Sequence, residues 1–360
     1  MKSRSVLLWW CALLVAAVGW AHGAGGGTIP QTNRPSVAPL LRAVTPAVVN
    51  IATKKVEKVD SPLLRDPVLR EFFDIPPQGL RRETRSAGSG VIVDAKSGYV
   101  LTNDHVVRGA SLIEVTTKDN RRFKAQLVGR DQATDIALLR IKPVNLVAIP
   151  MGDSNSLEVG DFVLAIGNPF GLGQTVTSGI ISALGRTGLG IEGYEDFIQT
   201  DASINPGSSG GALVTLDGRL AGINTAILSK TGANVGIGFA VPINMARLVM
   251  DQLVATGNVR RGRIGIVLRI PEPAGSEGAL IEKVEPQSPA ERAGLSKGDV
   301  VTFANGVPIK NGSQFRNLVG LLPIGTEMEL RYRRGAELRA AKVTIERSAA
   351  KLSAARSGVE

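Results

Sequence analysis

The run Gly207-Ser208-Ser209-Gly210-Gly211 is the segment of this chain best suited to covalent chemistry. It lies between two apolar segments, 197–204 and 212–214, that have the composition of buried strands. Flexible Gly/Ser linkers are not usually placed between two buried strands, so we interpret the run as a tight loop. Glycines in such a loop let backbone amides converge on one point. We predict that Ser209 is a nucleophile and that the amides of Gly207 and Ser209 form an oxyanion hole.

A serine hydroxyl is a poor nucleophile at neutral pH and needs a general base. His105 is the only histidine after residue 23. It follows the apolar segment 99–102, at a point where a loop can present the imidazole to a cleft. A lone histidine is more often structural than catalytic, but here it is the one candidate base beside a Ser-Gly-Gly loop. We therefore predict that His105 activates Ser209.

The third group should be a buried carboxylate that fixes the imidazole tautomer. Asp135 is followed at once by the apolar run Ile136-Ala137-Leu138-Leu139, which predicts burial. Asp104 and Asp131 are the alternatives, although Asp104 adjoins the histidine and would have to fold back on it. A role as a cap or turn acid is the other interpretation of Asp135.

The elements that position these residues are predicted to be short strands. With 42 glycines and 4% aromatic residues, the composition favours many tight turns. Regularly spaced β-branched runs predict an all-β barrel or sandwich closed by a helix through Met245, Leu248, Val249 and Leu253 that Gly257 ends. The segment 60–87, rich in proline and arginine, is predicted to be a long loop. The predicted strands are 48–56, 90–93, 99–102, 112–116, 123–131, 136–141, 162–166, 175–183, 197–200, 212–214, 220–226 and 236–242.

A second unit with its own core is predicted after the short basic connector. Its predicted strands are 279–284, 300–304, 327–333 and 340–345, and its predicted short helices are 289–293 and 313–321. The domain boundaries that we predict are a flexible leader at 24–36, a first domain at 37–257, a linker at 258–263, a second domain at 264–347 and a disordered tail at 348–360.

Residues 1–23 have the pattern of an export signal. Lys2 and Arg4 precede an apolar run, and Ala21-His22-Gly23 offers small residues for cleavage. The alternative is an uncleaved anchor, because the run from Val6 to Ala21 approaches the roughly 17 to 25 residues of a spanning helix. Cleavage would remove the only cysteine, Cys11, so we expect no disulfide and no Cys/His metal site in the mature chain.

The formal charge of +10 falls by two, to +8, without Lys2 and Arg4. The remaining basic residues occur in scattered pairs such as Lys54-Lys55 and Arg260-Arg261, with no long basic run and no interleaved aromatic residues. We therefore expect a solvated surface with weak attraction to anionic membrane surfaces, and no nucleic-acid partner.

Several motifs recur together in this chain: the order His, Asp, Ser and the segments 102–107, 134–139, 167–171, 198–202 and 236–240. By these motifs the chain resembles the HtrA/Deg family of trypsin-like serine endopeptidases over about residues 37–347. The resemblance implies a double six-stranded β-barrel, no cofactor and no metal, and the roles of base, orienter and nucleophile for His105, Asp135 and Ser209. It also implies action in the bacterial periplasm, either soluble or associated with the inner membrane.

Ser208 departs from the family pattern, which usually has Asn immediately before the nucleophile. Because the oxyanion donors are backbone amides, we expect the loop to tolerate the change. A proteolytically silent relative remains an alternative.

The substrate pocket can also be predicted from this likeness. In trypsin-like folds the residue six before the nucleophile lies at the floor of the primary pocket, and here it is Ser203 rather than an acid. Cleavage after Lys or Arg is therefore not expected. Ile204, Ile227 and Leu228 are placed to narrow the pocket, so we expect small aliphatic residues at the cleavage site.

The second unit resembles a PDZ domain, a small α+β fold. Its motifs are Ile264-Gly265-Ile266, Ser288-Pro289-Ala290 and the run 294–300. By this likeness the amides at Ile264, Gly265 and Ile266 would hold the C-terminal carboxylate of a peptide added to a sheet edge. Only one such domain fits, which places the chain near the single-PDZ members. The family likeness implies a homotrimer or multiples of it, and a sensor loop at Gly185 to Asp196.

Two classes of function follow. The first is a regulated endopeptidase that cleaves unfolded or misfolded envelope proteins. The alternative is a chaperone or a peptide-sensing signalling protease that cuts a membrane-bound regulator.

Overall fold

The structure is a computed structural model, and it describes residues 36–58, 81–168, 173–187, 189, 193–227, 236–270 and 277–348. From Ala38 onward the chain forms one unit by its internal contacts. The predicted signal, the leader up to residue 35 and the tail beyond Ser348 lie outside the described residues. Among the helices that are described, none has both the length and the apolar composition needed to cross a membrane.

The first barrel is a sheet of order β5-β4-β1-β2-β3-β7-β6. Only Ala125 separates β5 from β6, so these two strands form one bent segment. The N–H of Ala125 donates to the carbonyl of Ile113 at 2.9 Å. Since β5 pairs with β4 and β6 pairs with β7, this bent segment closes the sheet, and counting it once gives six strands. The strands are β1 (Val48–Lys58), β2 (Arg81–Asp94), β3 (Tyr99–Thr102), β4 (Leu112–Thr116), β5 (Arg122–Lys124), β6 (Gln126–Asp131) and β7 (Ile136–Arg140).

The second barrel is closed, in the order β10-β13-β12-β11-β8-β9. Side chains of both barrels meet in one large apolar core, and the second barrel has a further core of its own. Its strands are β8 (Phe162–Gly167), β9 (Thr175–Arg186), β10 (Phe197–Thr200), β11 (Ala212–Thr215), β12 (Leu220–Ile227) and β13 (Gly238–Pro242).

In the described part of the barrels the α-helices are α1 (Ala38–Val44), α2 (Asp104–Val107) and α3 (Ile243–Thr256). The predicted closing helix is confirmed as α3, and Gly257 is its C-cap. Leu248 on α3 packs against the large barrel core and also against the core of the second domain.

The second domain has its own apolar core, as predicted. Its sheet has the order β15-β16-β17-β19-β20, so β15 lies at an edge, and β18 pairs with β17 while β14 pairs with β21. The elements are β14 (Gly262–Arg263), β15 (Ile266–Leu268), β16 (Ala279–Val284), α4 (Pro289–Arg292), β17 (Val300–Ala304), β18 (Val307–Pro308), α5 (Gly312–Leu321), β19 (Glu327–Arg334), β20 (Glu337–Thr344) and β21 (Glu346–Arg347).

Two of the predicted elements were wrong. Residues 81–87, predicted within a long loop, are the first half of β2 and pair with β1 from Lys58↔Arg81 to Ala52↔Ala87. The reason is that this part of β2 is held by backbone pairing with β1 in a ribbon that extends from the barrel. Such a ribbon does not require the alternation of apolar and polar residues by which strands are predicted. The predicted strand 123–131 is two strands, because the chain bends at Ala125 to close the barrel. The part of the predicted loop at 60–80 lies outside the described residues.

Candidate active site

His105 lies on α2, the single helical turn that follows β3. The side chains of Val106 and Val107 are buried and anchor the turn in the core. The N–H of Asp104 donates to the carbonyl of Asp135 at 3.1 Å, which ties the turn to the loop before β7. The imidazole itself is 42% exposed, so the turn presents it at the surface.

Asp135 lies directly before β7 with a φ of 54°, a left-handed conformation that Asp tolerates better than most residues. Its carboxylate is 1% exposed and lies 2.8 Å from Nδ1 of His105. Oδ1 also accepts the backbone N–H of His105 at 3.0 Å. The structure therefore brings the predicted base and acid together, and the contact through Nδ1 leaves Nε2 for other partners.

Thr225 on β12 was missed from the sequence. Its hydroxyl donates to Oδ2 of Asp135 at 2.6 Å, and its carbonyl accepts from the hydroxyl of Ser209 at 3.1 Å. The sequence signal was the polar pair Asn224-Thr225 in a strand that is otherwise apolar or glycine. Both side chains are buried, and buried polar groups are normally hydrogen-bonded, as both are here.

Ser209 lies in the turn before β11, beside the same strand. In the described part of the chain no hydrogen bond joins its hydroxyl to His105, because that hydroxyl points to the Thr225 carbonyl. The structure therefore brings Ser209 and Asp135 to the same residue, Thr225, but leaves the serine and the imidazole unbonded to each other.

The loop around Ser209 is fixed by backbone contacts on both sides. The carbonyl of Ser209 accepts the N–H of Ser89 at 2.8 Å, and the hydroxyl of Ser89 donates to the carbonyl of Gly207 at 2.7 Å. Gly210 has a φ of 83°, and a Cβ there would lie 2.1 Å from the Ser89 carbonyl oxygen, so no other residue fits. Within the described residues the N–H groups of Gly207 and Ser209 donate to no protein acceptor.

Ser208, the departure from the family pattern, is buried. Its N–H donates to the carbonyl of Asn205 at 2.9 Å, and its carbonyl accepts the N–H of Gly211 at 2.9 Å. These contacts use the backbone of Ser208 alone.

The two alternative acids have other partners. The buried carboxylate of Asp104 pairs with Arg108 and Arg130. Asp131 accepts from the hydroxyl of Thr134 at 2.6 Å and pairs with Arg261 at 2.6 Å. No hydrogen bond or ion pair joins either of them to the imidazole, so of the three candidate acids only Asp135 contacts it.

The predicted pocket residues lie in different environments. Ser203 is exposed, and its carbonyl accepts from the hydroxyl of Thr177 at 2.8 Å. Ile204 is 1% exposed and packs in the second barrel's own core. Ile227 ends β12, and Leu228 lies outside the described residues. Their role as pocket walls stays a prediction.

The predicted carboxylate loop of the second domain lies immediately before the edge strand β15. Ile264 is buried, and its carbonyl accepts the N–H of Ala290 at 2.9 Å. Gly265 has a φ of 77° and lies against Ser288, and Ile266 begins β15.

Tyr194, between the barrels and the second domain, is held by residues of both. The guanidinium carbon of Arg261 lies 4.3 Å from its ring centroid and that of Arg316 lies 5.6 Å away. The ring also packs on Gly320 of α5, where a Cβ would lie 2.6 Å from Cε1. The N–H of Tyr194 donates to the carbonyl of Ala133 at 2.8 Å, two residues before Asp135.

Two neighbours of Tyr194 also belong to this contact. The carbonyl of Glu195 accepts from the side-chain amide of Asn317 on α5 at 2.8 Å. Asp196 is half-buried, and burial raises the pKa of its carboxyl to about 7, while the charge of Lys310 acts in the opposite direction. The described part of the predicted sensor loop therefore contacts α5 of the second domain directly, through Tyr194 and Glu195.

No group of three or more His, Cys, Asp or Glu side chains able to hold a metal ion occurs among the described residues. The functional groups at this site are a hydroxyl, an imidazole and a carboxylate, with backbone amides beside them.

Comparisons with known proteins identify both domains. Residues 88–223 match the trypsin-like peptidase domain and residues 262–345 match the PDZ domain. The chain is 45% identical over 327 residues to the periplasmic serine endoprotease DegP of Salmonella typhimurium, covering 82% of this chain and 69% of that protein. It is 43% identical over 365 residues to the periplasmic pH-dependent serine endoprotease DegQ of Escherichia coli, covering 97% and 79%.

Solved structures give the same assignment. The HtrA-type protease AlgW with a decapeptide is 43% identical with a TM-score of 0.62, covering 88% of this chain and 99% of that one. The serine endoprotease from Yersinia pestis is 37% identical with a TM-score of 0.53, covering 88% and 99%. This chain, a trypsin-like peptidase domain followed by one PDZ domain that regulates it, belongs to the DegP/HtrA family of serine endoproteases.

Proposed function

We propose that Ser209 attacks the peptide carbonyl, that His105 accepts its proton and that Asp135 holds the imidazole and stabilises the imidazolium. The observation that carries this assignment is the contact between Nδ1 of His105 and the buried carboxylate, which directs Nε2 away from Asp135. The free N–H groups of Gly207 and Ser209 are available to the oxyanion of the tetrahedral intermediate. Attack requires the Ser209 hydroxyl to leave the Thr225 carbonyl and turn toward the imidazole.

The proposed substrates are unfolded or misfolded proteins cut after small aliphatic residues. Ser203 supplies no carboxylate for a Lys or Arg side chain. The discrimination expected from an apolar pocket is modest, about 1–3 kcal/mol per methylene.

The proposed location is the periplasm. Its support is the signal-like pattern of residues 1–23 and the relatives named as periplasmic proteases. Weak association with the anionic inner-membrane surface is proposed from the net positive charge.

The proposed ligand of the PDZ domain is the C-terminal segment of a polypeptide. β15 lies at a sheet edge, where an added strand finds unpaired backbone groups. The loop Ile264-Gly265-Ile266 lies at the start of this strand, where the terminal carboxylate would be bound.

The proposed coupling route from the PDZ domain to the active site runs through Tyr194. On one side Tyr194 contacts Gly320 and Arg316, and on the other its N–H holds the carbonyl of Ala133 in the loop that carries Asp135. A shift of α5 caused by peptide binding would therefore displace Tyr194 and change the position of Asp135, the proposed acid of the triad.

We propose a homotrimer as the assembly. Its support is the family likeness and one surface cavity lined by Phe162 and Leu216, which are 64% and 50% exposed and which a second copy of the chain would bury.

The experiment that tests the proposed function compares the chain with Ser209→Ala for degradation of casein, an unfolded model substrate. We expect the variant to lose at least 1,000-fold in rate. Degradation by Ser209→Ala at the rate of the unaltered chain would refute the assignment of the nucleophile.

A peptide-gated signalling protease is the second candidate, and the resting contact of Ser209 with Thr225 favours it. Labelling of Ser209 by a fluorophosphonate, with and without peptides that end in apolar residues, distinguishes a general protease from a peptide-gated one. Strong labelling without peptide supports a general protease, whereas labelling that depends on peptide supports the gated enzyme.

A further inference from the structure

Asp104, directly before His105, is a buried carboxylate that the proposed triad does not use. Its side chain is 0% exposed. Oδ2 accepts from Nε of Arg108 at 2.8 Å, and Oδ1 accepts from a terminal nitrogen of Arg130 at 2.8 Å. Burying a charged pair costs desolvation energy that can exceed the attraction between the charges, so such a pair is weak evidence for stability alone. A positioning role is an alternative reason for this arrangement.

The contacts of Asp104 connect three elements. Arg108 follows α2, Arg130 lies on β6, and the N–H of Asp104 donates to the carbonyl of Asp135 before β7. α2 has only four residues and no side-chain cap at Asn103. Because an isolated helical turn is unstable by itself, its position depends on such ties.

The same residues set the charge around the turn that carries the imidazole. Among the described residues, Asp135 contacts the imidazole itself, and Asp104, paired with Arg108 and Arg130, directly precedes His105 in the chain. The two guanidinium groups are 41% and 40% exposed. Asp104 offsets one of their two positive charges, which would otherwise oppose formation of the imidazolium.

We propose that Asp104 is a positioning residue for the hydrolytic reaction. Its carboxylate, paired with Arg108 and Arg130, fixes the turn that carries His105 and balances the charge of the two guanidinium groups at that turn. This inference rests on the proposed role of His105 as the base. It gives a function to Asp104, one of the two acids that the sequence analysis named as alternatives to Asp135.

The test measures the rate at which a fluorophosphonate labels Ser209 between pH 5 and pH 9. Asp104→Asn removes a negative charge, so the acid limb of the profile should move to lower pH by roughly half a pH unit. Arg130→Gln removes a positive charge, so its acid limb should move to higher pH by a similar amount. We also expect Asp104→Asn to lower the plateau rate by about tenfold through loosening of the turn.

The double variant Asp104→Asn/Arg130→Gln should return the midpoint to that of the unaltered chain. Glu337→Gln, which removes one negative charge from an exposed ion pair of the PDZ domain, is the matched control and should not move the midpoint. Shifts of equal sign in the two single variants, or no shift in either, would overturn the proposal.

Circular dichroism and thermal unfolding show whether each variant folds. If Asp104→Asn does not fold, Arg130→Gln and Arg108→Gln carry the test, since both arginines are partly exposed and each should move the midpoint upward. Labelling of Ser209→Ala at the normal rate would instead overturn the proposed function itself. Loss of that labelling, together with unmoved midpoints in the other variants, would overturn the role of Asp104 alone.

Discussion

Thr225→Val tests how much the triad depends on the hydroxyl that supports Asp135. Valine has nearly the same shape as threonine, and the side chain is 4% exposed, so the substitution removes one hydrogen-bond donor without opening a large cavity. The lost bond is the 2.6 Å contact from the hydroxyl to Oδ2 of Asp135, the oxygen that also contacts Nδ1 of His105.

The expected loss follows from the strength of this bond. A hydrogen bond to a charged group contributes about 1.5–3 kcal/mol. If that energy is needed to keep the carboxylate aligned with the imidazole in the transition state, kcat/KM falls by about 10- to 150-fold. The backbone N–H of His105 still donates to Oδ1 of Asp135 at 3.0 Å in this variant. The loss in kcat/KM should therefore be smaller than the loss caused by removing the Asp135 carboxylate.

The assay is cleavage of casein, with stability measured by urea unfolding of the same samples. Thr225→Ser is the matched control because it keeps the hydroxyl, and we expect it to retain activity within about threefold. A Thr225→Val enzyme as active as Thr225→Ser, at equal folded fraction, would refute the argument that this hydroxyl positions Asp135.

Two other variants examine the contact between the domains. Gly320→Ala places a Cβ 2.6 Å from Cε1 of Tyr194. We therefore expect the PDZ domain to be displaced and peptide activation of casein cleavage to fall at least fivefold. Gly325→Ala is the control, because a Cβ there has no neighbour within 4 Å, and it should affect only stability. Asp196→Asn should remove a pH dependence of stability. Since burial raises the pKa of the Asp196 carboxyl from 3.8 to about 7, its proton is bound more tightly in the folded chain, and stability falls as pH rises through this window. Thermal unfolding at pH 8 and pH 6 should therefore show a rise on acidification that the Asn variant lacks; equal responses would contradict this.

The fold was predictable where burial dictated the residue pattern. β3, β4, β10, β16 and β17 have the predicted bounds, because each is a short apolar run between turn residues. The first half of β2 was not predictable, since Arg81, Arg82 and Arg85 give no alternation and the strand is held by pairing with β1. The bend at Ala125 depends on closure of the barrel, which is a tertiary constraint.

The candidate site was predictable where a residue type is scarce. His105 is the only histidine after the signal-like segment, and Asp135 precedes a buried strand, so the sequence leaves few choices. Thr225 was not identified because threonine is common in strands and its partner is 90 positions away in the chain. The stack of Arg261 and Arg316 on Tyr194 joins three separate segments, and no local pattern reports such a contact.

The packing of Leu248 against two apolar cores has a consequence for unfolding. The side-chain amide of Gln252, one helical turn later, donates to the carbonyl of Leu321 at 2.6 Å, so α3 is shared by the peptidase and the PDZ domain. A helix common to both parts cannot melt with one of them and remain native in the other. Scanning calorimetry of the chain is therefore expected to show a single heat-absorption peak, and ligands of the PDZ domain should delay the melting of the barrels as well.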